Sequence, residues 1–418
     1  MENDDLISGM NFFANKHAFP CYSQTAAVYA MINRTSIYKK FTKIGGKRMA
    51  KAVASQEVAN MLNDWYILMK KRDISGSIEM KDDIDKAIEK MEEDHDVLLY
   101  YQMLDFRLRL LLEDISQSST EKLEAISFKD KDPKSTDDKL NYYFYLFKGI
   151  YEDYKQNHTE ALNFFRIAEK RLSVIQNEIE KAEFHYKIGV LYYNLKATWL
   201  SIHHINIASG IFQGYDGYAK RVINCKMLIG LNYIDQFKFA ESEVLLKEAI
   251  EKTEKIGDQY LLPYTYYNMG FLKSKEDKHE EALKYYNKAF AIKDFETKAK
   301  YAYLLCVYEN TRSLFKTNDP DQAFKWIDTG FKKAQEVNSE IFELKFKTLY
   351  TLHSDCQNKL EVIKDFIHQL EDKKAWVDLE ELLMDVANYY RENKLYEEAI
   401  YFYIKTDKAS KLAGRGGE

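Results

Sequence analysis

Residues 230–249, GLNYIDQFKFAESEVLLKEA, and residues 270–289, GFLKSKEDKHEEALKYYNKA, decide the fold. In each, a glycine is followed twelve residues later by a small residue (Ser242, Ala282), sixteen later by a large one (Leu246, Tyr286) and nineteen later by alanine (Ala249, Ala289). The same spacing holds upstream, where Gly149 leads Ala161, Phe165 and Ala168, and Gly189 leads Ser201, Ile205 and Ala208. The four glycines lie 40, 41 and 40 residues apart. Small residues at such intervals let two helices cross closely, and the large ones fill the space between them. The phase continues more weakly with Thr311, Ala323, Ile327 and Gly330, then with Ala387, Ala399, Tyr403 and Thr406. The 76 residues from 311 to 387 leave room for one degenerate unit between them.

This is the packing code of the tetratricopeptide repeat. The spacing predicts about seven helical pairs over 139–410, with a period near 40 residues where about 34 is usual, so the helices are longer than average. Composition agrees: a chain of 418 residues with 16 Gly and 4 Pro has few helix breakers, and the expected class is all-α. The formal net charge of −5 gives no global attraction for nucleic acid or an anionic membrane. Cys21, Cys225, Cys306 and Cys356 are scattered, with no paired spacing for a disulfide framework or a thiolate metal site. The start, MENDDLISGM, is acidic where a secretory signal is basic, and no stretch approaches the ~18 apolar residues of a membrane span. A cytoplasmic protein is expected.

Before the array, residues 53–116 read as a three-helix bundle. Val58, Met61, Leu62, Trp65, Leu68 and Met69 fall at helical spacing, followed by Ser75-Gly76-Ser77 as a breaker. Ile84, Ile88 and Met91 mark a second helix, and DVLLYYQMLDFRLRLLLEDI a third. Three short amphipathic helices bury their apolar faces by packing together. The polar stretch 117–138 reads as a linker, and 1–52, with Lys39, Lys40, Lys43, Lys47, Arg48 and Lys51, as an N-terminal extension.

Conventional active-site motifs are absent from the sequence: there is no phosphate-cradling glycine loop, no nucleophile elbow and no HExxH. His203 and His204 are adjacent, about 100° apart around a helix, which does not suit a shared metal. No metal or cofactor is expected in the chain itself. On residues alone the array is a scaffold that binds peptide or protein. One segment stands out, MEEDHDVLLYY at 91–101, a charged corner between two amphipathic helices. It reads either as a group inserted into a partner's pocket or as a solvated corner whose Asp94 or Asp96 caps the third helix.

The string MEEDHDVLLYYQMLDFR at 91–107, NDWY at 63–66, the bundle, the linker and the long-period array together resemble the Rap family of spore-forming bacilli. The resemblance covers about 55–410. It implies a response-regulator aspartate phosphatase, or a related regulator-binding protein of sporulation or competence, controlled by a short re-imported Phr peptide. It implies that the bundle docks on a receiver domain through Glu93, Leu98 and Phe106. A family glutamine at the helix corner orients water for attack on the aspartyl phosphate, with Mg2+ carried by the partner receiver; here that position is His95. Neutral imidazole also donates and accepts, but with shorter reach and different angles than an amide. The alternative is a non-catalytic inhibitor that masks a DNA-binding response regulator.

The repeat register supplies a peptide site of its own. With each glycine counted as position 8, Asp235 is position 13 of the third repeat and Asn268 position 6 of the fourth. Seven residues are two helical turns, so both lie on the stripe facing the concave groove. Asn suits a peptide backbone, and Asp an amine or a basic side chain. Tyr264 and Phe271 share the stripe and are expected to cover apolar peptide side chains, with Glu343 as a third polar candidate. The two positions of Asp235 and Asn268 also match those that the resemblance implies for the peptide.

Overall fold

The computed structural model describes residues 53–112, 138–154 and 157–414. The expected extension 1–52, and all of the expected linker except its last residue, lie outside the described residues. Three helices come first: α1 (Ser55–Lys71), α2 (Ile74–Ile88) and α3 (His95–Leu112). Helix pairs follow: α4 (Asp138–Tyr154) with α5 (His158–Arg171), α6 (Glu178–Asn194) with α7 (Thr198–Gln213), and α8 (Ala219–Asp235) with α9 (Phe239–Ile256). Next come α10 (Leu262–Lys275) with α11 (His279–Phe290), the single turn α12 (Phe295–Lys298), and α13 (Lys300–Lys316) with α14 (Pro320–Glu336). The last are α15 (Glu340–His353) with α16 (Lys359–Asp372), the degenerate repeat, and α17 (Trp376–Glu392) with α18 (Tyr396–Gly414). Among the described residues this makes seven pairs and no β-sheet; Val53 and Met91 form an isolated bridge.

The glycine-to-small spacing works as the sequence predicts. Ala161, Ser201, Ser242 and Ala282 are fully buried where paired helices cross. A Cβ on Gly270 would sit 2.4 Å from Tyr286, and one on Gly189 2.6 Å from Ile205, so only glycine permits these approaches. Where the small residue is serine, it also braces the crossing: Ser201 Oγ donates to the Gly189 carbonyl at 2.8 Å, and Ser242 Oγ to that of Gly230 at 2.9 Å. From α6–α7 onward the turn inside each pair places a non-glycine residue at positive φ: Lys196, Phe237, Asp277, Asn318, Asn358 and Lys394.

Two details of the bundle differ from the sequence reading. Ser75-Gly76-Ser77 is not a break but part of the first turn of α2, because Asp73 caps that helix by accepting from Gly76 N at 3.0 Å. A Cβ at Gly76 would meet the Asp73 carboxylate at 2.8 Å, so the glycine serves the cap. Met91 lies beyond the end of α2, held in the bridge to Val53 instead of in the helix.

Bundle and array share one core. Trp65, Tyr66, Met69, Met103, Leu104 and Phe106 pack in the same cluster as Tyr142, Tyr143, Phe147, Phe165, Phe184 and Ile188. Buried charges cross the same junction. Lys70 on α1 pairs with Glu180 on α6, which also accepts from Tyr66 Oη at 3.2 Å. Glu183 Oε2 is shared by Arg107 of α3 at 3.0 Å and Arg221 of α8 at 2.5 Å, while Arg221 Nε donates to the Lys70 carbonyl at 3.3 Å.

Candidate functional site

The corner between α2 and α3 is built by a cap. Asp94 accepts from the backbone N–H of Asp96 at 3.1 Å and of Val97 at 3.2 Å, which starts α3 and turns Glu92 and Glu93 outward, where they are exposed. His95 is the first residue of α3, and its side chain lies outside what is described. Leu98, three residues on, is half-buried against the core. Phe106 does not belong to the surface. It is 1% exposed and packs edge-on against Tyr151 at 5.6 Å, because that face of α3 turns toward α4; as a docking contact it is corrected to a core residue.

In the array, Asp235 ends α8 with its carboxylate 3.8 Å from Lys196 Nζ. Burial raises its carboxyl above the usual range, with Lys196 and Lys275 opposing and Glu380 of α17 adding to the rise. Asn268 on α10 is 6% exposed, and its amide makes no hydrogen bond among the described residues. Tyr264 is buried, so little of its ring faces a ligand, whereas Phe271 is half-buried, stacked on Tyr267 at 6.3 Å under Lys275. Glu343 is partly exposed on α15, 4.0 Å from Lys347 of its own helix.

The sequence reading missed how α17 is clasped to α10, α13 and α15 by ion pairs. Lys275 of α10 reaches Glu381 at 3.2 Å, and Arg312 of α13 reaches Glu381 at 2.8 Å and Asp385 at 2.7 Å, while also holding Glu309. Lys345 of α15 meets the buried Asp378 at 2.8 Å. Burial alone would raise Glu381, but Arg312, Lys275 and Lys345 hold it well below the usual carboxylate range. Glu309, buried beside Glu381, is pushed up, with Arg312 opposing. Beneath this clasp lies a cleft of about 130 Å³, lined in part by Lys316, His353, Tyr389 and Glu392. A signal existed: Asp378, Glu381, Asp385 and Glu392 form an acidic stripe at helical spacing, opposite to the basic residues of α10, α13 and α15.

The charged corner, the bundle and the array now find their counterparts. Residues 52–113 match the family model described as response regulator aspartate phosphatase H, N terminal. Regulatory protein RapD of Bacillus subtilis (strain 168) is 36% identical over 352 residues, covering 84% of this chain and 98% of that protein. The chain belongs to the Rap family. Response regulator aspartate phosphatase A of the same strain is 30% identical, covering 88% of this chain and 98% of the relative. Among solved structures, a Rap protein complexed with competence and sporulation factor superposes with a TM-score of 0.77 at 29% identity, over 87% of this chain and 99% of that one. Within this Rap fold no described helix is long and apolar enough to cross a membrane.

Proposed function

We propose that this Rap-family chain docks on a bacterial response regulator through its bundle, accelerates loss of the regulator's aspartyl phosphate, and is switched off by a short Phr-type peptide in the concave groove. The regulator is of the sporulation or competence type. Glu93 and Leu98 flank the capped corner that presents His95, and the regulator's own Mg2+ neutralises the phosphoryl oxygens. Catalysis of this kind is positioning of a water more than covalent chemistry, so a short rigid corner suffices. The observation that carries the peptide half is Asn268: a side-chain amide 6% exposed, without a partner among the described residues, on the stripe that also holds Asp235. Likeness to a Rap protein complexed with a signalling factor supports the same half.

A second reading is favoured by His95 standing where the family has glutamine: the protein binds a DNA-binding response regulator without turning it over. Incubation of purified protein with a panel of phosphorylated regulators, following label loss beside complex formation, separates the two. Catalytic loss of label supports the phosphatase. Stoichiometric complex without faster loss selects the inhibitor, and neither signal with any regulator overturns both.

A further inference from the structure

The junction of bundle and array holds more positive charge than it answers. Lys70, Arg107, Lys187 and Arg221 converge there, with Glu180 and Glu183 as the carboxylates that face them. Arg72, at the end of α1, lies within electrostatic reach of the same group. Both carboxylates are engaged: Glu180 by Lys70 and Tyr66, and Glu183 by two guanidiniums on one oxygen. Lys187, one turn beyond Glu183 on α6, forms no ion pair among the described residues. Burial, and then Arg107, Arg221 and Arg72, push Lys187 down to about 7, against the pull of Glu183.

The hydrogen-bond inventory is lopsided in the same sense. Arg107 Nε, Arg221 Nη1 and the Tyr142 hydroxyl are buried without partners among the described residues, and Tyr142 lies within reach of Glu180, Glu183 and Arg107. Among the described residues, the orphaned carboxylate oxygen here is Glu183 Oε1. Lys187, at i+4 from Glu183, is the donor that register offers to that oxygen. Pairing them leaves the two guanidinium N–H groups and the hydroxyl unanswered, and the excess positive charge unchanged. Orphaned buried donors each cost about 1–3 kcal/mol, and an uncompensated buried charge costs more.

We propose that a small inorganic monoanion of the halide type completes this junction, held by Arg107, Arg221 and Lys187 with the Tyr142 hydroxyl. Lys187 is half-buried, while Arg107 and Arg221 are 6% and 2% exposed, so the anion enters past Lys187 and meets the guanidiniums inside. Because its ligands come from α3, α4, α6 and α8, the ion ties the bundle to the first three repeats. The inference does not depend on the reading of the peptide or the phosphatase.

The test is chloride-35 line broadening on the full-length protein at constant ionic strength, with fluoride-free gluconate as the inert counter-salt and bromide as competitor. Saturable broadening that bromide displaces is expected for the wild type. Lys187→Met should weaken halide affinity about tenfold, the scale of one charge-assisted hydrogen bond, and Lys187→Arg should restore most of it. Absence of saturable broadening in the wild type means a water or an unfilled junction and overturns the proposal without recourse to any variant. Equal broadening in folded Lys187→Met, checked by circular dichroism, places the halide elsewhere and overturns it too.

Discussion

At Asn268, an amide with two donors and an acceptor on α10 is 6% exposed and makes no hydrogen bond among the described residues. A docked peptide backbone satisfies it, so Asn268→Ala should weaken peptide binding by roughly 5- to 150-fold, the equivalent of about 1–3 kcal/mol. Calorimetry with the cognate peptide checks this, and equal affinities would remove Asn268 from the site. At His95 the corresponding change restores the family's residue. His95→Gln should keep regulator binding and raise dephosphorylation, and His95→Ala should leave binding within a factor of a few. Complete loss of binding in His95→Ala would make the residue a docking anchor instead. Phe106, buried against Tyr151 of α4, is left out of the proposed docking surface, which keeps Glu93 and Leu98.

The turns show how helices are joined in a chain so poor in glycine. Lys394 adopts φ 63° between α17 and α18, while Leu395 N–H bonds back to the Tyr390 carbonyl at 2.9 Å. A left-handed L-residue costs about 1–2 kcal/mol, against about 0.5–1 kcal/mol for the extra entropy of glycine. Lys394→Gly should therefore stabilise the array by about 0.5 kcal/mol. Urea titration reads the shift; a lower midpoint would contradict the strain argument. The helix pairs themselves were legible because Gly189, Ser201 and Ile205 meet within one local unit, where spacing along the chain dictates which side chains cross. The cap at Gly76 was misread because a glycine between serines marks a break by composition, and only the neighbouring Asp73 carboxylate gives it a role. Register alone puts Asp235 and Asn268 on one stripe of successive repeats, two helical turns apart. The pairing of α17 with the earlier helices is not legible in that way, since Lys275 and Glu381 are 106 residues apart and no local spacing relates them.

Over the whole molecule, the shared core and the Glu183 pairs make the bundle a continuation of the solenoid. Glu183→Gln removes the charge that two buried guanidiniums share, and breaking such a pair costs about 3–5 kcal/mol. Loss of protection in α1 and α3 by hydrogen exchange, ahead of the later repeats, is the expected signature; uniform loss along the chain would deny the junction a local role. Acid should weaken the junction, the Asp105 pairs inside the bundle and the α17 clasp alike, because Asp105, Glu183 and Glu381 lie below their usual range. For such groups the stability is present above the unfolded value, near pH 4, and is lost as pH falls through the folded one.

On the alkaline side Lys187 adds a second limb of the same sign. Its folded value is about 7 and its unfolded value near 10.4, so between them the unfolded chain binds a proton that the folded chain does not. Stability therefore rises with pH across that interval. His185, His204, His279 and His353, all shifted downward in the folded chain, add only a small rise of their own just above pH 7, where the unfolded imidazole is already mostly neutral. Buried Cys225 and Cys306, shifted upward, and Tyr66, Tyr142 and Tyr143, shifted likewise, pull the other way at higher pH, since the unfolded chain loses those protons first. These opposing groups are common to wild type and Lys187→Met, so the difference between the two isolates residue 187. In halide-free buffer the urea midpoint of the wild type should climb relative to that of Lys187→Met from pH 7 to pH 8.5. A difference that stays flat over that range would mean that Lys187 keeps its proton in the folded junction, with its charge answered from within the chain.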